Sequence, residues 1–196
     1  MGLPLARIAD AGNRRNLIVA GIAVWSAMTA LCGVARGFWG LFWARVGVGV
    51  GEATLGPAAY SMITDYFPQR TLARALSVYM LGVTFGSGVA YMLGGAVVGY
   101  VEQMGTIIVP VLGELEGWQL TFFIVGLPGL LVALLMALTV REPARKGIVA
   151  GQPAAIPLPE AVHYIWARRR AYGSHIAALA IFVMVVYALN LWGPSY

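Results

Sequence analysis

Residues 38–67 read FWGLFWARVGVGVGEATLGPAAYSMITDYF, and this stretch decides how the rest of the chain is read. It is long enough for a helix that crosses a hydrocarbon core, which takes roughly 20 residues. Yet Arg45 and Glu52 lie inside it. An ionisable side chain at that depth costs at least about 2.5–3.5 kcal/mol, so such residues face a bundle interior or a water-filled path. Seven positions apart, the two fall on one face of a helix with a rise of about 10 Å between them. That is too long for a direct ion pair, so each is expected to have another partner. Glu52 sits near mid-span and Arg45 nearer the outer end. Removal from water disfavours an ionised carboxylate, which suits Glu52 to taking up and releasing a proton. Arg45 would then hold the anionic acid or receive an anionic group of a substrate, and competition between the two is a physical route to coupling. The alternative is a static network with other helices. Gly47 and Gly51 form a G-x-x-x-G pair that lets a neighbouring helix approach. Pro57 lacks an N–H and frees the carbonyl of Ala53, favouring a kink. Tyr60, two turns further inward, is read as lining the same path.

Working outward, 60% of the residues are hydrophobic and only 11% charged, against about a quarter charged in soluble domains. The apolar residues form five blocks, at about 16–34, 38–66, 75–101, 118–140 and 171–196. Each suits a transmembrane helix, and the continuous runs differ from the short alternating strands of a membrane barrel. The fold class expected is an all-α membrane protein. The lone Cys32 falls in the first block and is read as a packing residue; His163 and His175 are far apart, and no metal or cofactor pattern is visible. Residues 1–15 lack the apolar core of a signal peptide.

Charge orients the helices. Of thirteen basic residues, eleven (Arg7, Arg14, Arg15, Arg70, Arg74, Arg141, Arg145, Lys146, Arg168, Arg169 and Arg170) fall in one set of connections. The positive-inside rule makes that set cytoplasmic, with the amino terminus inside. Because the basic residues track helix ends, membrane topology explains them better than nucleic acid does. Residues 101–117 are expected to be an external loop. Residues 141–170 form the longest polar connection: a small-residue, Pro-rich linker, then EAVHYIWARRR at 160–170, which reads as an amphipathic helix on the inner membrane surface.

The stretch ARIADAGNRR, residues 6–15, resembles the cytoplasmic loop signature G-x-x-x-D-R-x-x-R-R of the major facilitator superfamily. Asp10, Arg14 and Arg15 match, whereas Ala6 and Ala11 depart from it. DYFPQRTLAR, residues 65–74, looks like the matching loop after the fourth family helix. The resemblance implies that Asp10, Arg14, Arg15, Asp65 and Arg74 gate the cytoplasmic side. It implies too that the five spans are helices three to seven of a twelve-helix fold: four in the amino-terminal half, a linker at 141–170, and the first of the second half. The glycine-rich third span, with Gly86 and Gly94 expected to serve packing, resembles the fifth helix of antiporters, although Gly86-Ser87 replaces its Gly-Pro step. RVGVGVGEA (45–53), DYFP and the GWQ…GLPG…REPAR run look most like the spinster-like branch, linked with export of lysolipids and sphingoid phosphates. The implied function is proton-coupled transport of an amphipathic or organic anion by alternating access. Its partners would be membrane lipids, protons, a small-molecule or lysolipid substrate, and the helices this sequence lacks, without which it is expected not to transport. A drug or small-solute antiporter, an organic-anion symporter and a non-transporting scaffold are the alternatives. No His/Asp cluster, Ser-His pair or H-E-x-x-H helix suggests an enzyme.

Overall fold

The computed structural model describes residues 12–104, 107–109, 113–146 and 157–192. Two compact units divide the chain, Met1–Gln152 and Pro153–Tyr196.

In the first unit, α1 (Arg14–Cys32) is followed by α2 (Phe38–Tyr66), α3 (Gln69–Met104) and α4 (Gly117–Thr139). Local chemistry sets their ends. The Asn13 side chain accepts from the Asn16 N–H at 2.8 Å and caps α1. Phe67 precedes a proline, which pushes it out of the helical region, and it ends α2 at φ −99°, ψ 139°. The Pro68 carbonyl then accepts from the N–H groups of Thr71 and Leu72 and starts α3. Glu116 and Gln119 close a capping box on α4. The supposed loop at 65–74 is therefore almost entirely helical, with only Phe67 and Pro68 between α2 and α3. A second departure lies in the connection before α4. Strands β1 (Ile107–Val109) and β2 (Gly113–Leu115) pair antiparallel there, with Ile107 opposite Leu115. A β-branched run favours extension, and Gly113 at φ +78° supplies a backbone shape that other residues resist.

Helix α1 lies between α2 and α4, while α3 rests on α4 and touches α2. The core joins Ile18 and Ile22 of α1 to Ala58, Ala59 and Met62 of α2 and Ala133 of α4. Small residues bring the backbones together. A Cβ added at Gly126 of α4 would stand 2.8 Å from the Ala30 backbone nitrogen of α1.

The second unit holds α5 (Leu158–Ala167) and α6 (Arg169–Trp192). Arg168 separates them; its N–H turns back to the carbonyls of Tyr164, Ile165 and Trp166. Among the described residues, α1, α3, α4 and α6 contain four segments long and apolar enough to cross a membrane. The fifth expected span, α2, forms with the bounds read from the sequence but falls outside that set, because Arg45, Glu52, Asp65 and its glycines dilute its hydropathy.

Candidate functional site

Two stripes run along α2. Ala44, Gly51, Thr54, Ala58 and Met62 are buried and recur at the three- and four-residue steps that place side chains on one helix face. This stripe meets α1. A Cβ at Gly47 would lie 2.6 Å from Met28 Cγ, and one at Gly51 would lie 2.7 Å from the backbone nitrogen of Trp25. Arg45, Gly49, Glu52 and Gly56 make the other stripe at the same steps, and Arg45 and Glu52 are exposed. A Cβ at Gly49 or Gly56 would meet nothing within 4 Å among the described residues. Two glycines thus flank Glu52 and keep the helix surface low beside it. Pro57 sits within the unbroken helix, exposed next to this stripe.

The Arg45 guanidinium lies over the Phe122 ring of α4, 4.9 Å from its centroid. Trp118 meets Phe122 edge-on at 6.1 Å. A ring face attracts the cation without using its N–H groups as hydrogen-bond donors to oxygen, so they can still meet an anion. Arg45 and Glu52 therefore share the exposed stripe, with Phe122 as the partner of Arg45. Tyr60 faces α3: its ring meets Tyr79 at 5.4 Å and its hydroxyl lies 3.8 Å from Met80 Sδ.

Charge is handled differently where α1 begins and α2 ends. Arg14 is 1% exposed. Its Nε donates to Glu142 Oε1 at 2.7 Å, and its Nη1 donates to Asp65 Oδ2 and, at 3.0 Å, to Ser61 Oγ. Its Nη2 donates to the Pro143 carbonyl at 3.2 Å. The Arg15 N–H donates to Glu142 Oε2 at 2.8 Å, and the Arg15 guanidinium reaches the Ala137 carbonyl. Asp65 also accepts from the Lys146 N–H at 3.1 Å, while Arg145 donates to the Gly12 carbonyl at 2.6 Å. Burial works against the charge on Glu142, but the Arg15 N–H and the Arg14 guanidinium outweigh it and hold that carboxyl below the usual carboxylate range.

This cluster gathers Arg14, Arg15 and Asp65. Arg74 is exposed on α3 and stands outside it. Asp10 lies outside the described residues. Gly86 is exposed and Gly94 half-buried on α3, and an added Cβ at either would meet nothing within 4 Å among the described residues. Sequence reasoning missed Glu142, Ser61 and Phe122. Glu142 had left a signal, as the one acid in the otherwise basic run REPARK that closes the fourth span.

Helices of this length and packing, with charge placed inside them, define a multi-pass membrane protein of transporter type. Residues 1–196 match the Major Facilitator Superfamily, and the chain belongs to it. Within the superfamily it is spinster-like. A sphingosine-1-phosphate transporter of Xenopus tropicalis is 33% identical over 121 residues, covering 60% of this chain and 24% of that protein. An MFS-type efflux pump of Mycolicibacterium smegmatis is 28% identical over 200 residues, covering 100% of this chain and 42% of the pump. The crystal structure of a bacterial homolog to the human lysosomal transporter Spinster, inward-facing and unoccupied, superposes with a TM-score of 0.60 at 39% identity. That match covers 85% of this chain and 38% of the other. The chain thus spans less than half the length of each of these relatives.

Proposed function

We propose that this chain supplies part of a proton-coupled secondary transporter that moves an amphipathic anion by alternating access. The observation that carries the reading is the open stripe of α2, where the exposed Arg45, its guanidinium over Phe122, and Glu52 lie two turns apart on the same face. Arg45 receives the anionic head of the substrate through paired N–H···O bonds. Glu52 exchanges a proton as the path alternately opens and closes. Protonated Glu52 leaves the field of Arg45 to the substrate, and ionised Glu52, too far for direct pairing, offsets that field along the stripe, so the two fluxes are tied together. The lipid-like choice of anion follows the sphingosine-1-phosphate transporter among the relatives. An efflux pump of smaller solutes is the second reading, favoured by the mycobacterial relative. The excess of basic residues at the Arg14 end supports a cytoplasmic amino terminus, and we assign the protein to a bacterial inner membrane. The spans are taken as helices three to seven of a twelve-helix transporter. Arg14, Arg15 and Asp65 then close its cytoplasmic side.

The test is uptake into proteoliposomes by the twelve-helix protein under an imposed proton gradient, offered lysolipid phosphates and a panel of organic anions. Glu52→Gln is expected to uncouple transport from the gradient and Arg45→Ala to abolish it. Wild-type, gradient-driven rates in both variants would end this reading. A preference for small neutral or cationic solutes would favour the efflux alternative.

A further inference from the structure

The junction of α5 and α6 carries chemistry that the transport reading does not use. Arg168, Arg169 and Arg170 follow one another where the short helix ends and the long apolar one begins, and all three are exposed. With Ala167 and Ala171 they line one groove of about 390 Å³. Two of the arginines are held by aromatic rings. The Arg168 guanidinium lies 3.9 Å from the Tyr164 centroid, and that of Arg169 lies 6.0 Å from Trp166. Tyr164 in turn meets Tyr172 of α6 at 6.5 Å, so the stack bridges the break between the helices. A guanidinium held over a ring keeps its N–H donors, which grip phosphate in pairs, and those of Arg168 and Arg169 have no hydrogen-bond partner among the described residues.

The surroundings identify what those edges meet. The span Arg169–Leu189 is long and apolar enough to cross a membrane, so the arginines stand at headgroup depth. Trp166 is 69% exposed and Tyr164 49% exposed beside them, and both are interface-seeking rings. A free phosphate would use the charge and leave the ring surface wet, whereas a phospholipid covers both.

We propose that the Arg168–Arg170 groove binds the anionic headgroup of a membrane phospholipid, with Tyr164 and Trp166 orienting the guanidiniums. The full chain, extracted from bilayers of phosphatidylcholine mixed with phosphatidylglycerol, is to be examined by native mass spectrometry for retained lipid. Phosphatidylglycerol is expected to be retained in preference. R168Q/R169Q/R170Q should weaken that retention about a hundredfold, from roughly fivefold for each arginine near an anionic surface. The triple lysine variant keeps the charge without the planar fork and should fall between. Should the glutamine variant insert poorly, Tyr164→Leu, which leaves every charge in place, decides the matter by losing retention several-fold. Equal retention of the two lipids by the wild type overturns the proposal. So does unchanged retention in the glutamine variant, or in Tyr164→Leu where that variant decides, and so does displacement of the lipid by millimolar inorganic phosphate.

Discussion

The two stripes of α2 are made from similar residues and behave in opposite ways. Toward α1, Gly47 and Gly51 let Met28 and Trp25 close in, and the stripe runs on to Ser61 and Asp65, where Arg14 takes up each charge it meets. On the other stripe, glycines of the same helix face open space, and Arg45 and Glu52 stay exposed. One stripe uses small residues to gain contact and the other leaves room beside its charges. The difference lies in what stands opposite, not in the residues themselves. Charges already satisfied by other side chains hold structure, while charges left open remain available to a ligand or proton.

The comparison breaks most easily at its two arginines. Arg14→Met leaves Asp65 and Glu142 without their cation. Removing one member of a buried ion pair costs about 3–5 kcal/mol, and since Glu142 is 23% exposed the low end, about 3 kcal/mol, is expected. Arg45→Met loses only an exposed cation–π contact, worth about 0.5–1 kcal/mol. Unfolding of the purified protein by titrated SDS in mixed micelles measures both. Equal losses would mean that the open stripe is as structural as the closed one.

The glycines give a smaller effect with opposite signs. Gly51→Ala forces a methyl against the Trp25 backbone nitrogen at 2.7 Å and the Gly21 carbonyl at 2.8 Å. Neither is a flexible tip, so overpacking should cost about 2 kcal/mol. Gly49→Ala meets nothing within 4 Å, and alanine's better helix propensity should stabilise it by up to about 1 kcal/mol. The same titration reads both, and a loss at position 49 would show that the second stripe is packed after all.

Much of this was legible in the sequence, because membrane helices announce themselves by length and hydropathy. The bounds of α2 were readable to the residue, and its two mid-span charges were visible as violations of an apolar run. The faces were not legible. G-x-x-x-G says that close approach is possible and cannot say which helix approaches; Gly82 and Gly86 have the four-residue spacing of Gly47 and Gly51, yet a Cβ at either would meet nothing within 4 Å among the described residues. Partners distant in sequence were hidden for the same reason. Arg14 and Glu142 are 128 positions apart, and only the folding of α4 back along α1 joins them. Phe122 looked like any aromatic residue of a span until Arg45 was seen above it. The β-hairpin escaped because its strands are three residues each, too short for alternation to register.

The smallest effect concerns pH and sharpens the difference between a closed acid and an open one. Glu142 has its folded-state carboxyl held below the ordinary value of 4.5 by the Arg15 N–H and Arg14, against the opposing effect of burial. A depressed carboxylate stabilises the fold wherever the unfolded chain would bind more protons. Its contribution is therefore complete at neutral pH. It starts to fall as the pH drops to 4.5 and is gone once the pH has passed below the folded-state value. Glu142→Gln should lower stability at pH 7 by less than Arg14→Met, since the amide oxygen still accepts from Arg14. It should also flatten the stability curve below pH 4.5, because no proton is then taken up at that position. Unfolding titrations from pH 7 to pH 3 on both proteins decide it. An acid branch as steep in Glu142→Gln as in the wild type would mean that other carboxylates carry the acid dependence and that Glu142 is closed only by packing.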